Sequence, residues 1–114
     1  MMKNTYSRRS VMVGAAASAA VLTAAPLRAQ DPTVHEVHIR SFSFDPDKVQ
    51  VQVGDTIRWI NHDLAPHTAT ADEFGWDTEE ISKGEFGEVI VTKDMETSYF
   101  CVFHPHMKGT IEIL

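Results

Sequence analysis

The sequence predicts an all-β protein, a Greek-key antiparallel β-sandwich or barrel of about seven to eight short strands. Apolar and polar residues alternate over short runs, most clearly in Val49-Gln50-Val51-Gln52-Val53, which is typical of half-buried strands. Turn-forming residues such as Gly54-Asp55 and Lys83-Gly84 separate these runs. After residue 30, no segment repeats its apolar residues with the period of a helix. These observations together favour a sandwich of short strands.

The pattern places each strand in turn. Strands are expected at residues 37–40, 42–44, 49–53, 56–61, 86–91, 98–101 and 110–113. Residues 74–81 are less regular. The run Val89-Ile90-Val91 is expected to be buried on both sides, and Trp59 and Trp76 are expected in or near the core.

The first 29 residues are predicted to be a signal peptide and residues 30–114 the folded domain. The arginine pair Arg8-Arg9 precedes a weakly apolar run at residues 11–25, and Leu27-Arg28-Ala29 offers a cleavage site. The paired arginines are similar to a twin-arginine signal, which predicts export to the periplasm and cleavage. An ordinary secretory signal and an uncleaved membrane anchor are the alternatives.

Charge is distributed unevenly along the chain. The protein has 10 basic and 16 acidic residues, and four of the basic ones but no acidic one precede residue 30. The predicted domain therefore carries six basic against 16 acidic side chains, a net charge of −10. Such a domain would repel phosphates, so we expect no nucleic-acid partner. We also expect a monomer that has no membrane contact once the signal is removed.

One cysteine, Cys101, is present in the whole chain. A small exported domain often needs disulfides or a metal to supplement its limited core. A single cysteine cannot form an internal disulfide, so it is buried, paired between chains or bound to a metal.

Cys101, His104 and Met107 follow one another at intervals of three residues. Side chains alternate along a strand, so the chain must leave the strand after Cys101 for these donors to converge, and Pro105 suits such a loop. Thiolate, imidazole and thioether donors favour copper, and two histidines, one cysteine and a weak axial methionine form the blue-copper arrangement. His67 is the best candidate for the second histidine, while His106 is the alternative to His104.

These residues resemble the small blue copper proteins of the cupredoxin family, and among them the amicyanins. The similar segments are residues 53–61, Pro66-His67 and Cys101-x-x-His104-x-x-Met107. The resemblance implies one type 1 copper ion, cycling between Cu(I) and Cu(II), with His67, Cys101 and His104 as strong ligands and Met107 as the long axial ligand. Two positions depart from the family pattern: Thr68 replaces the usual asparagine, and Val102 replaces a hydroxyl residue.

The resemblance also implies single-electron transfer between transient redox partner proteins, with a dehydrogenase as donor and a c-type cytochrome as acceptor. No catalytic residues and no enzyme activity are expected. A copper carrier or buffer protein of the same fold is the alternative function, because the sequence contains four further histidines, His35, His38, His62 and His106.

Overall fold

A computed structural model describes residues 31–114. The predicted signal peptide at residues 1–29 lies outside the described residues and stays a prediction. Residues 32–114 form one compact unit. Within the described part of the chain, no helix has the length and hydropathy needed to cross a membrane.

In residues 31–114, eight strands form two sheets of four, packed as a sandwich. In chain order they are β1 (Val34–Arg40), β2 (Ser43–Asp45), β3 (Lys48–Val51), β4 (Thr56–Asn61), β5 (Thr70–Ala71), β6 (Phe86–Ile90), β7 (Ser98–Phe100) and β8 (Lys108–Ile113). The first sheet has the order β2-β1-β4-β6 and the second β3-β8-β7-β5. The predicted all-β sandwich and its number of strands are confirmed.

The predicted sandwich is antiparallel, and the observed sheets also contain parallel neighbours. β1 and β4 run parallel with Val37 opposite Trp59, and β3 and β8 run parallel with Val49 opposite Ile111. Parallel neighbours need a crossover between them. Between β2 and β4 the chain crosses to the second sheet, where it forms β3. It then returns to the first sheet as β4, which runs in the same direction as β1.

The core lies between the sheets and follows from strand alternation. In β4 every second residue is buried, and Trp59 packs against Tyr99 and Trp76 with ring centroids 5.3 and 5.6 Å away. Burial of apolar surface at about 25 cal/mol per Å² is the main stabilising contribution in such a core. The expectation that both tryptophans lie in or near the core is confirmed.

One local expectation was wrong, and one short strand was missed. Ile90 is 64% exposed, because β6 pairs only with β4 at the edge of its sheet and turns one face to solvent. The short strand β5 was missed, since two residues are too few to show alternation. Its neighbours at residues 74–81 form a loop with isolated bridges from His67 to Ile81 and from Thr70 to Asp77.

Candidate metal centre

Three donor atoms from two separate loops meet at one end of the sandwich. The Nδ1 atom of His67 lies 3.6 Å from the Sγ atom of Cys101, and Nδ1 of His104 lies 3.8 Å from the same sulfur. The donor atoms of these three residues all lie within 4.8 Å of one another, so one ion can contact all of them. His67 and Cys101 are buried, and His104 is partly exposed.

The loop between β7 and β8 brings Cys101, His104 and Met107 together through backbone hydrogen bonds. The Cys101 N–H donates to the Met107 carbonyl (3.2 Å), the His104 N–H to the Cys101 carbonyl (3.2 Å) and the Met107 N–H to the His104 carbonyl (2.9 Å). β7 ends at Phe100, one residue before the predicted end at Cys101, and the chain leaves the strand there. Met107 is only 2% exposed and packs in the core at the end of this loop.

His67 is held from the side opposite the cysteine. Its Nε2 atom lies 2.9 Å from a carboxylate oxygen of Asp63, and its side chain is fully buried. Donation of the Nε2 proton to this carboxylate leaves the Nδ1 lone pair facing Cys101, as is usual for a histidine that binds a metal. A two-way backbone pairing between His67 and Ile81 fixes the main chain here.

Asp63 is in turn fixed by the loop between β1 and β2. Its carboxylate oxygens accept hydrogen bonds from the backbone N–H groups of Ser41 (2.8 Å) and Phe42 (2.9 Å). Burial opposes ionisation, but the hydrogen bonds from Phe42, His67 and Ser41 together hold the pKa of Asp63 below its ordinary value. Asp63 therefore stays charged beside His67.

The buried side chain of Asn61 orders the loop that carries both Asp63 and His67. Its amide donates to the carbonyls of Ala65 and Ile81, both at 2.9 Å, and its carbonyl accepts from the Asp63 N–H at 2.8 Å. We missed the roles of Asn61 and Asp63 in the sequence. The signal was the spacing Asn-x-Asp at a strand end, where such side chains often bond to nearby backbone.

Thr68 joins the two ligand-bearing loops. Its N–H donates to the Cys101 sulfur at 3.4 Å, and its hydroxyl oxygen accepts from the Val102 N–H at 3.0 Å. Thr68 therefore makes both a hydrogen bond to the sulfur and a hydrogen bond between the loops, although it replaces the asparagine that is usual at this position.

The Thr68 hydroxyl belongs to a directed chain of hydrogen bonds. The Thr70 hydroxyl donates to the Asp77 carboxylate at 2.8 Å and lies 2.9 Å from the Thr68 hydroxyl. Because the Thr70 proton is committed to Asp77, Thr68 must donate to Thr70, and its own lone pair remains for Val102. Asp77 thereby sets the direction of every hydrogen bond in this series.

Comparison with known proteins gives the same result as the geometry. The family of the Cupredoxin-like domain matches residues 11–113, most of the chain. This chain belongs to the cupredoxin-like family.

Solved structures of other cupredoxins are similar to this one. A Cu(I) form of an amicyanin variant is 26% identical with a TM-score of 0.64, over 77% of this chain and 88% of the amicyanin. A purple cupredoxin from Nitrosopumilus maritimus is 19% identical with a TM-score of 0.63, over 70% of this chain and 99% of the other, and shows the shared fold alone.

A Cu-containing nitrite reductase from Thermus scotoductus SA-01 is also similar, with 27% identity and a TM-score of 0.66 over 76% of this chain. The cupredoxin spans only 24% of the length of that reductase. The similarity therefore covers about one quarter of the enzyme.

The donor set of this cupredoxin fits a single type 1 copper ion. Two imidazole nitrogens and one thiol sulfur converge, with a buried methionine on the same loop. Soft sulfur combined with imidazole suits copper, whereas structural zinc sites usually contain more paired cysteines or histidines. Family membership and the donors thus agree on the cofactor.

Phe42 covers the two histidine rings of the site. Its ring meets His67 edge-on at 5.2 Å between centroids and His104 edge-on at 4.7 Å. It occupies a left-handed backbone conformation with φ of 57°, which turns the chain between β1 and β2 toward the site. The sequence showed Phe42 only as a strand residue, because its contact with the histidines depends on this turn.

The remaining histidines lie outside the donor cluster. His106 is exposed and contacts the His104 ring edge-on at 6.4 Å between centroids. The structure therefore brings His104, and not the alternative His106, to the Cys101 sulfur. His35 pairs with Asp55, and His62 pairs with His38.

Proposed function

We propose that this cupredoxin carries single electrons between redox proteins in the periplasm. The observation that supports this most strongly is the convergence of Nδ1 of His67, Sγ of Cys101 and Nδ1 of His104 within 4.8 Å of one another. These residues are the proposed strong ligands, and Met107 is the proposed weak axial ligand. When bound, a copper ion in such a site supplies a one-electron couple between Cu(I) and Cu(II).

The protein residues contribute a site that is fixed before any electron arrives. Asp63, which accepts a hydrogen bond from the backbone of Phe42, holds the His67 ring, while the Thr68 N–H donates to the Cys101 sulfur. Ligands whose orientation is fixed by surrounding hydrogen bonds need little rearrangement when the charge at the site changes. A fixed ligand geometry is what an electron carrier requires.

Exposed apolar side chains in both ligand-bearing loops are suited to brief partner contacts. Leu64 is 85% exposed and Phe103 is 47% exposed, and both lie in the ligand-bearing loops. We propose that Leu64 and Phe103 form one apolar surface together with Pro105, which is exposed, and with Ala65 and Pro66, which are half-buried. Weak redox encounters use small interfaces, below about 1,200 Å². A dehydrogenase donor and a c-type cytochrome acceptor are the proposed partners of the monomer.

The periplasmic part of the proposal is supported by residues 1–29, with their arginine pair and apolar run. Intact mass of the protein recovered from the periplasm tests it, and we expect cleavage after Ala29. Replacing Arg8 and Arg9 by lysine should block export if the route is twin-arginine. Export of this variant at the normal level would indicate the general secretory route.

The visible spectrum after addition of Cu(II) tests the proposed ligands. We expect intense absorption from thiolate-to-copper charge transfer, abolished by Cys101→Ser and retained by His106→Gln. A pale complex that Cys101→Ser leaves unchanged would mean that histidines alone bind the metal. Loss of the intense band in His106→Gln would indicate that His106, and not His104, is the second histidine ligand.

A copper carrier or buffer of this fold is the second candidate, supported by the four further histidines, of which His106 contacts His104. The two functions differ in how they hold Cu(I). An electron carrier should complete repeated oxidation and reduction with the metal retained in the presence of a Cu(I) chelator. Rapid loss of Cu(I) to the chelator would favour the delivery function.

We also propose that the protein is not an enzyme. The similarity to amicyanin covers most of both chains, whereas the similarity to the nitrite reductase covers a quarter of that enzyme. Incubation of the reduced, copper-loaded protein with nitrite should consume none. Catalytic turnover of nitrite would overturn this part of the proposal.

A further inference from the structure

A second pair of histidines meets on the surface, outside the donor cluster. Nδ1 of His38 on β1 lies 2.8 Å from Nε2 of His62, which follows β4. The ring centroids are 5.1 Å apart with an interplanar angle of 26°, so the two rings lie nearly end to end. The pair follows from the topology, because β1 and β4 are adjacent parallel strands and the His62 N–H donates to the carbonyl of Ile39.

Neighbouring groups define which nitrogen of His38 is free. Its Nε2 atom lies 3.7 Å from a carboxylate oxygen of Glu36, which favours a proton on Nε2 and a lone pair on Nδ1. A carboxylate beside the outer nitrogen of a histidine is the arrangement that orients metal-binding imidazoles. The lone pair of His38 therefore points at Nε2 of His62, and a proton lies between the two rings.

The two imidazoles are close enough to reach one metal ion once their rings turn. With metal–nitrogen bonds of about 2.0–2.1 Å, two bound nitrogens are about 2.9 Å apart at a right angle and about 3.4 Å apart at a tetrahedral angle. The two nitrogens are 2.8 Å apart and face each other, so a rotation of the rings brings both lone pairs onto a shared ion. His62 is exposed and the His38 side chain is 32% exposed, so water can fill the remaining coordination positions.

We propose that His38 and His62 form a second metal site, open to solvent, that binds a divalent transition cation such as Zn(II) or Cu(II). Imidazole ligands suit these cations, whereas Mg(II) prefers oxygen ligands. The cation replaces the proton shared by the two rings, and Glu36 orients His38. This site does not depend on the function proposed for Cys101 and its neighbours.

Titration with Zn(II), followed by proton NMR of the imidazole rings, tests the proposal. The full chain is loaded with Cu(I), and a parallel titration uses the metal-free protein. We expect the ring signals of His38 and His62 to shift along one common saturation curve in both samples, and Mg(II) to leave them unchanged. Because each ring is read separately, failure of the Cys101 site to hold copper would not mask the result.

Two variants make the test specific. His62→Gln should weaken Zn(II) binding, read at His38, by at least about ten-fold. Mutation of a residue that only orients a metal ligand already lowers metal affinity by about that factor, and His62 is a proposed ligand itself. His35→Gln is the matched control, because His35 lies on the same strand but bonds to Asp55. Unmoved His38 and His62 signals, or equal Zn(II) affinity in His62→Gln, would show that the two rings share only a proton and would overturn the proposal.

Discussion

Single residues outside the ligand set control the chemistry of the metal site. Asp63 places a full negative charge 2.9 Å from Nε2 of His67, and Thr68 places an N–H 3.4 Å from the Cys101 sulfur. Hydrogen bonds that involve a charged group are worth about 1.5–3 kcal/mol, more than those between neutral groups. Changes at these two positions should therefore alter the site without removing a ligand.

Asp63→Asn should raise the reduction potential of the copper form. The negative charge of Asp63 favours the more positive oxidised state, so its removal favours Cu(I). We expect a rise on the order of tens of millivolts, since about 59 mV in a one-electron couple is a tenfold change in the equilibrium constant. Cyclic voltammetry gives the value. Asp94→Asn, in the loop before β7 at the far end of the sandwich, should leave the potential nearly unchanged, and equal shifts in both variants would contradict the prediction.

Thr68→Val should loosen the contact between the two ligand-bearing loops. The Val102 N–H loses its acceptor, and an unpaired, partly buried donor costs about 1–3 kcal/mol. Hydrogen exchange at the Val102 amide and urea unfolding of the metal-free protein measure the effect. Thr68→Ser keeps the hydroxyl and should retain most of the protection. Equal exchange rates in the two variants would show that the hydroxyl does not hold the loop.

At the scale of elements, two close contacts fix how strands meet. Gly109 on β8 lies against the ring of Tyr99 on β7, so closely that a Cβ atom would come within 2.2 Å of the ring. At the other contact, Asp55 precedes β4 and bonds to His35 on β1 and to the backbone of Thr33 and Gln52. The first contact joins β8 to β7 in the same sheet. The second joins the turn before β4 to the start of β1 and to Gln52.

Gly109→Ala should destabilise the protein by about 1–3 kcal/mol, the usual cost of overpacking a filled core. The added methyl group would overlap the buried Tyr99 ring, which cannot move without disturbing Trp59 and Trp76. Urea unfolding measures the change. Thr110→Ala, at an exposed position of the same strand, should change stability by no more than about 0.5 kcal/mol. Wild-type stability in Gly109→Ala would show that the two strands separate easily.

Asp55 should make the protein sensitive to acid. The hydrogen bond from His35, followed by those from Thr33 and Gln52, lowers the pKa of Asp55 from 3.8 to about 2. A lowered pKa means that the folded state binds the proton more weakly than the unfolded state. The stabilisation is present above the ordinary pKa and is lost as pH falls from about 4 to about 2.

The variant Asp55→Asn should reduce the slope of unfolding free energy against pH in that range. Urea unfolding at several pH values gives the slope. Asp94→Asn should keep the wild-type slope, because its side chain is exposed and makes none of these bonds. A wild-type slope in Asp55→Asn would assign the acid sensitivity to other carboxylates.

On the scale of the whole molecule, the metal site joins distant parts of the chain at one end of the sandwich. The loop after β4 provides His67, the loop after β7 provides Cys101 and His104, and the loop after β1 covers both with Phe42. A ligand that binds only the folded state stabilises it in proportion to the logarithm of its concentration. Metal binding should therefore stabilise the entire domain.

Removal of copper should lower the melting temperature of the protein. At 100 times its dissociation constant, a ligand adds about 2.7 kcal/mol, and for a domain of this size about 1 kcal/mol shifts the melting temperature by roughly 4–8 °C. We therefore expect a difference of more than about 10 °C by calorimetry. Cys101→Ser should show a much smaller response to copper. Equal melting temperatures with and without copper would argue against a site formed by three loops.

The sequence by itself determined the features that depend on neighbouring residues. Alternation predicted β4 and its burial of Trp59, since side chains on one strand alternate between faces. The spacing of Cys101, His104 and Met107 predicted the turn after β7, because all three donors lie within one short loop. The cupredoxin resemblance, carried by these same local motifs, is confirmed by the family match.

The tertiary structure alone decided which distant groups meet. It placed Asp63 behind His67, Thr68 against Cys101 and His62 against His38, and it made β1 and β4 parallel neighbours. These contacts join residues that are far apart in the chain or that depend on the path of a loop. Local patterns contain no information on how loops close over the sandwich, because that depends on the packing of both sheets.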